Sequence, residues 1–350
     1  MQVRDAKAIA DIWIQQSHRS IRGYRGAYLA GSICWLEDDD EMSPYSDIDL
    51  HLVVNDEKLV TKPGKFRFHD ALLEVSLEPY SLFADEHQLL ANAAISTSVS
   101  RNRLIDDPDD VLRFRFDAVQ RAFPRREHVV TRLNAIEQRI RTAMVNIDEA
   151  AAFHDQAMWI FPASVTTHML LTAGLGNPTV RRRFVEVGHM LDHYGESGTL
   201  ELLLHLVGCD QISPDRATHH LNTLTPVYDA TSAITTSTSR WVSDVSADSR
   251  SISIDGTQAL IDQGYHREAM FWIVATYARC LNVIAAADDA TVIPNANEGF
   301  RILMLDLGIA DVGDIRTMAT AVIAALPQIR KVANRIVDAN PDVVSPSQGH

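Results

Sequence analysis

Gly26-Ala27-Tyr28-Leu29-Ala30-Gly31-Ser32, followed by Ser46-Asp47-Ile48-Asp49-Leu50-His51-Leu52-Val53-Val54, are the stretches whose reading decides the fold of the N-terminal part. In the second, Ile48, Leu50, Leu52 and Val54 alternate with Asp47, Asp49, His51 and Val53, the period of a strand with two faces. The first reads as a short strand running into a Gly-Ser turn. Leu73 to Glu78 alternates in the same way, with Leu73, Val75 and Leu77 against Glu74, Ser76 and Glu78, and Pro79 ends it.

Around these strands the first part of the chain mixes helix and strand signals. Ala6 to His18 carries Ile9, Ile12, Trp13 and Ile14 and predicts an amphipathic helix. The Lys58 to Lys65 stretch, with Pro63-Gly64, predicts a turn. Asp85 to Ala94 predicts a helix, and Leu104-Ile105 a short strand closed by Asp107-Pro108. Beyond Asp109 the strand signals mostly vanish. Helices are expected over Val111–Phe123, Val129–Phe153, Val180–His193, Ser197–Val207, Asp215–Thr236, Tyr265–Ala287 and Asp311–Asp338. Asn177-Pro178 looks like a helix start, Asn as N-cap and Pro as first residue. The Ser- and Asp-rich stretch Trp241–Ile254 predicts a long loop. The fold class is therefore α+β: a mixed sheet with flanking helices over residues 1–110, an all-helical part over 111–340, and a frayed tail over 341–350.

Composition bounds the function. Asp and Glu total 46 against 32 Lys and Arg in 350 residues, a net charge of −14. Such a chain is a poor general binder of nucleic acid, because that affinity comes from neutralising phosphates. Its field favours cationic small molecules. Cys34, Cys209 and Cys280 are far apart and fit neither a disulfide framework nor a thiolate metal site, which suits the cytoplasm. The N-terminus lacks the pattern of a secretory signal. The longest stretch free of Asp, Glu, Lys and Arg, Gln156 to Val180, is broken by Pro162, Gly174, Gly176 and Pro178 and reads as buried helices, not a membrane span.

Chemistry is concentrated in Gly31-Ser32 and Asp47-Ile48-Asp49. Carboxylates at i and i+2 of a strand share a face. Held close, they repel and call for a cation, and their oxygens suit Mg²⁺, which binds through one or two carboxylates plus substrate phosphates. A Gly-Ser turn suits a phosphate tail, since Gly admits close backbone approach and Ser adds a hydroxyl. A helix beginning there would add its dipole. Glu74 is the expected third acid, with Glu78 its competitor; either is otherwise a solvent-facing strand residue.

This order of strand, Gly-Ser, Asp-x-Asp and a later acid-bearing strand resembles the DNA polymerase β-type nucleotidyltransferase superfamily. Within it, the chain looks most like the bacterial aminoglycoside and lincosamide nucleotidyltransferases and their relatives. The resemblance covers residues 28–108. It implies a nucleotidyltransferase-fold sheet in which Gly31 and Ser32 hold a nucleoside triphosphate. It implies that Asp47, Asp49 and Glu74 bind Mg²⁺ as two ions, or that Glu74 is the general base. The implied activity is transfer of a nucleoside monophosphate, AMP from ATP or its counterpart from another triphosphate, to a hydroxyl. The expected partners are a small-molecule acceptor, such as a cationic antibiotic, and a second copy of the chain in a homodimer. An inactive nucleotide-binding sensor of the same fold is the alternative.

Other features carry less. Arg181-Arg182-Arg183 offers a triphosphate clamp or a solvated helix face, and residues about 100° apart on a helix cannot all meet one ligand. Arg183 and His189 match a loose Arg-x5-His spacing of some helical ribonucleases. His205, His219 and His220 have no metal-ligand spacing. His266, Arg267 and Glu268 suit a cleft, while Phe271 and Trp272 read first as core. Glu37 to Glu41 is an acidic loop between the two main motifs.

Overall fold

The computed structural model of the chain describes residues 1–17, 20–55, 63–101, 103–287 and 295–345. The chain divides into two compact units, Met1–Ala135 joined by the chain from Asn340 onward, and Ile136–Ala339. The division falls inside the helix Arg126–Val145.

The first unit is α+β. Its sheet has five strands, β1 (Tyr24–Ala30), β2 (Ile48–Val54), β3 (Gly64–Phe68), β4 (Ala71–Pro79) and β5 (Leu104–Asp106), in the order β3-β4-β2-β1-β5. The sheet is mixed: β2 and β4 run parallel, and the other neighbours are antiparallel. One face is apolar. Ile48, Leu50, Leu52, Leu73, Val75, Ala27 and Leu29 bury themselves against Val3, Ala6, Ala10 and Ile14 of the first helix, Val3–Ser17. That helix starts earlier than its Ile-rich centre suggested. Its small residues Ala6 and Ala10 make the innermost contact, Ile9 and Trp13 flank the core, and Ile12 is exposed.

The opposite face is polar at one end and aromatic at the other. Tyr28, fully buried, lies edge-on to Phe83 and Phe116, at 6.0 and 5.2 Å between ring centres. These two rings come from the helices Ser81–Ala84 and Arg113–Ala122. Between them the helical signal of Asp85–Ala94 resolves into Glu86–Ala91 and Ala93–Ser100, because Asp85 and Asn92 each cap a new helix start with their side chains. Strand β3 is a departure from the expected turn. Residues 58–62 of that turn lie outside the described residues, but Gly64 and Lys65 already belong to a strand in which Lys65 and Arg67 alternate with Phe66 and Phe68. At the other end of the unit, Val344 accepts a hydrogen bond from the Arg126 N–H and donates one to the Pro124 carbonyl. The rest of the expected frayed tail, residues 346–350, lies outside the described residues.

The second unit is mostly helical. In its helix His266–Ala285 every residue from Glu268 to Leu281 is buried. The helices Ile160–Ala173, Pro214–Ser232 and Val312–Ala339 are its other main elements. Three expectations fail here, the first being the helix expected over Val129–Phe153, which runs as Arg126–Val145 and stops there. The helix expected from Val180 begins at Arg183: Asn177 to Thr179 are irregular, Arg181 and Arg182 form a turn, and the Val180 carbonyl accepts from the Arg183 guanidinium. The loop expected over Trp241–Ile254 is instead a 3₁₀ turn, Ser243–Val245, and a π-type turn, Ser251–Asp255. Ser246 and Ser249 both donate to the Ser243 carbonyl, at 3.0 and 2.7 Å, so the serines that looked like loop residues close a turn. All three cysteines are buried and free. Among the described residues no helix is long and apolar enough to cross a membrane.

Candidate metal centre

Sheet register assembles the site. Lys65 of β3 is paired with Glu74 of β4, Glu74 with Asp49 of β2, and Asp49 with Ala30 of β1. Partners in register project to the same side of a sheet. A single transverse row therefore carries an ammonium, two carboxylates and, at its end, the chain entering Gly31. Because Ile48 and Leu50 are held in the core, Asp49 must face the other way. Asp47 precedes β2 by one residue and joins Asp49 on that side.

The three acids converge. Asp47, Asp49 and Glu74 each offer a carboxylate oxygen, and these oxygens lie within 4.8 Å of one another; among the described residues no other group of three metal-type ligands comes together. All three residues are half-buried. Carboxylates this close repel one another in a partly desolvated setting, and an all-oxygen donor set suits a hard divalent cation such as Mg²⁺.

Gly31 fits the same arrangement. It has φ +66°, a conformation that favours glycine, and a Cβ at this position would land on the Asp49 carboxylate. The Gly-Ser motif and the Asp-x-Asp motif are thus in direct contact. Ser32 opens a 3₁₀ turn of four residues, Ser32–Trp35. One short turn carries little dipole, so the helix contribution considered for this motif is absent.

Lys65 is the residue that the sequence reading did not single out. Its Nζ donates to both Asp47 Oδ2 and Glu74 Oε2, and its side chain is only 10% exposed. Burial works against the ammonium, but the carboxylates of Asp47, Glu74 and Asp49 outweigh it and hold the pKa above the ordinary lysine value. The readable signal was the alternation of Lys65 and Arg67 with Phe66 and Phe68, which Pro63-Gly64 obscured.

Glu78 has a different role. It lies further along β4 on the same face, where its carboxylate meets His51 Nδ1 at 3.1 Å; the Tyr28 hydroxyl approaches the same nitrogen at 3.3 Å. Glu74, not Glu78, belongs to the acid cluster.

The weaker sequence candidates disperse. Arg181 donates to the Gly256 carbonyl at 2.8 Å, Arg182 pairs with Glu186 at 3.0 Å, and Arg183 is buried with its guanidinium over Phe271 at 4.3 Å. His189 meets the Tyr265 hydroxyl at 3.0 Å on an exposed surface, so it has a partner other than Arg183. His205 pairs with Asp210, and His220 with Asp306. Arg267 pairs with Glu201, His266 approaches the Gly264 carbonyl, and Phe271 and Trp272 are core residues. The acidic loop is tied to the first helix by the pairs Lys7–Asp38 and Arg4–Asp39, and Lys7 holds the Asp38 carboxyl below its usual range.

In comparison with known proteins, the chain matches no family model, no curated protein and no solved structure.

Proposed function

We propose that this chain is a Mg²⁺-dependent nucleotidyltransferase that moves a nucleoside monophosphate, AMP from ATP, onto a hydroxyl of a small molecule. The observation that carries this reading is the convergence of Asp47, Asp49 and Glu74 on one sheet face against Gly31. The five-stranded mixed sheet, with its Gly-Ser turn after β1 and acids on β2 and β4, supports the nucleotidyltransferase fold that the motif order suggests.

Asp47 and Asp49 would hold Mg²⁺, and Glu74 would either complete that set or take the acceptor's proton. Bound there, Mg²⁺ neutralises charge on the phosphates of the nucleotide. As a base, Glu74 receives the proton of the acceptor hydroxyl while the oxygen bonds to the α-phosphorus and the bond to pyrophosphate breaks. Gly31, having no Cβ, leaves room for the Asp49 carboxylate against the turn. The acidic balance of the chain, −14 overall, favours a cationic acceptor such as an aminoglycoside.

One observation favours a second reading, a nucleotide-binding sensor of the same fold. Lys65 already supplies a positive charge to the cluster, as a structural site would. The two readings separate in one experiment: ATP labelled at the α-phosphate, Mg²⁺ and a panel of hydroxylated amines, followed for labelled product and pyrophosphate. Acceptor-dependent release that disappears in Asp49→Asn supports the transferase. Binding of ATP without turnover on any acceptor supports the sensor, and no binding of any nucleoside triphosphate overturns both.

A further inference from the structure

We propose that Lys65 is a built-in competitor for the divalent cation: it occupies the position between Asp47 and Glu74 and leaves it when metal and polyphosphate arrive together. This inference rests on the metal-site reading of the preceding section and gives it a control element.

Geometry supplies the argument. The ammonium is bonded to one oxygen of Asp47 and one of Glu74, two of the three acids whose oxygens cluster within 4.8 Å. The register pair Lys65–Glu74 puts the base of this side chain directly beside the acid row, and the side chain is 10% exposed. Three carboxylates and one ammonium leave a formal charge of −2. A hard cation that coordinates Asp47 or Glu74 through these oxygens must meet the same lone pairs that Lys65 now holds. Both cannot be held fully at once, because like charges at such separations repel strongly when partly desolvated.

The lysine cannot simply depart into water without loss. It is tethered by a four-carbon stem to the edge strand β3, which is paired with β4 from Gly64 to Phe68, so a displaced ammonium stays near the site. Metal entering alone competes with that ammonium for the oxygens it now holds and repels it. A triphosphate entering with the metal provides new anionic oxygens for it. Loading of the site is therefore coupled: the free protein resists divalent cations, and the nucleotide relieves that resistance. By linkage, metal must strengthen nucleotide binding by the same factor.

The test is direct binding of Mn²⁺, followed by loss of its free-ion spin-resonance signal, on the full chain as wild type and as Lys65→Met. Each protein is titrated alone and with a non-hydrolysable ATP analogue. Wild type should bind Mn²⁺ weakly alone and more tightly with the analogue. Lys65→Met should bind Mn²⁺ alone at least about tenfold more tightly than wild type, the scale of removing one screened charge contact. The enhancement by the analogue should shrink in that variant. If the variant binds Mn²⁺ no more tightly than wild type while wild type does bind, the competitor role is overturned and the metal site stands. If neither protein binds Mn²⁺ with or without the analogue, the metal site itself falls, and the competitor role with it. Should Lys65→Met fail to fold, Glu74→Gln is compared with Glu74→Gln/Lys65→Met, which removes one negative charge with the positive one. Tighter Mn²⁺ binding by the double variant supports the proposal, and equal or weaker binding overturns it.

Discussion

Poorly hydrated charge is handled in opposite ways at two places, the acid row of the sheet unit and the buried arginines beside the helix His266–Ala285 of the helical unit. In the sheet unit Asp47, Asp49, Glu74 and Lys65 meet as ions, all from one rim of one face. In the helical unit two buried arginines, Arg183 and Arg279, lie over aromatic rings. Arg183 lies over Phe271 at 4.3 Å and donates to Ser164 Oγ at 2.6 Å, and Arg279 lies 4.7 Å from both Trp241 and Trp272. Burial, with Arg279 and Arg139 nearby, pushes Arg183 down to about 9, so it stays charged at neutral pH. Ions paired with ions can exchange one partner for another. The Arg183 guanidinium is held instead by rings and by neutral acceptors, the Val180 and Phe161 carbonyls and the Ser164 hydroxyl. The difference sets the first arrangement apart as the candidate site and leaves the second as packing.

The largest effect that would break this contrast is on turnover. Asp47→Asn or Asp49→Asn should lower nucleotidyl transfer by about 10³-fold or more, as loss of charge-stabilising groups does, while circular dichroism shows the fold retained. Near-wild-type activity in either variant would remove the site from this face.

Next in size is the separation of Glu74 from Glu78. Glu74→Gln should slow transfer by about 10²- to 10⁴-fold if it is the base. If it is a metal ligand, MgATP binding should weaken as well. Glu78→Gln, whose carboxylate is engaged by His51, should change transfer little. Reversal of the two phenotypes would overturn the assignment.

The helical unit should respond to acid instead. Packing pushes the half-buried His168 down to about 3, with the Arg183 guanidinium adding to the shift and the Thr179 carbonyl opposing it. An unfolded histidine titrates near about 6.5. Between these values the unfolded chain takes up a proton that the folded chain refuses. The contribution is complete above about pH 6.5 and is lost as pH falls toward the folded value. Urea unfolding of wild type and His168→Gln across this range should show a shallower pH dependence in the variant, whose amide can still donate to Thr179. Parallel profiles would show that His168 does not titrate on unfolding.

The smallest effect sharpens the contrast most. Arg183→Met should cost about 1–3 kcal/mol in urea unfolding, through lost hydrogen bonds from a buried charged group, and leave ATP affinity unchanged. A weaker ATP affinity at unchanged stability would return this arginine to the phosphate-clamp reading.

The same contrast explains what could be read from sequence. Strands β1, β2 and β4 were legible because Ile48, Leu50 and Leu52, or Leu73 and Val75, alternate with polar residues, and that period also sends Asp49 and Glu74 to one face. Lys65 was not legible as a site residue, since its importance lies in a cross-strand pairing that a turn signal concealed. Arg183 was misleading for the opposite reason. Three consecutive arginines look like a hydrated surface, and nothing in their spacing shows that Phe161 and Phe271, far away in the chain, form a seat for one of them. Serines 246 and 249 likewise signalled a loop, because whether a hydroxyl meets water or a nearby carbonyl depends on how the chain turns.

The hairpin between β3 and β4 turns over in two residues, His69 and Asp70, with His69 at φ +50° and Phe68 paired with Ala71. Lys65 precedes His69 by as many positions as Glu74 follows Asp70. The turn is therefore a ruler: counting outward from it decides which cation meets which acid. One residue gained or lost on either arm, unless absorbed in a remade turn, would bring Phe66 to the acid face and hide Lys65 among the core side chains. The candidate metal centre is then open to substitution but not to insertion, and homologues that keep the acid cluster should vary in the letters of this hairpin while conserving its length.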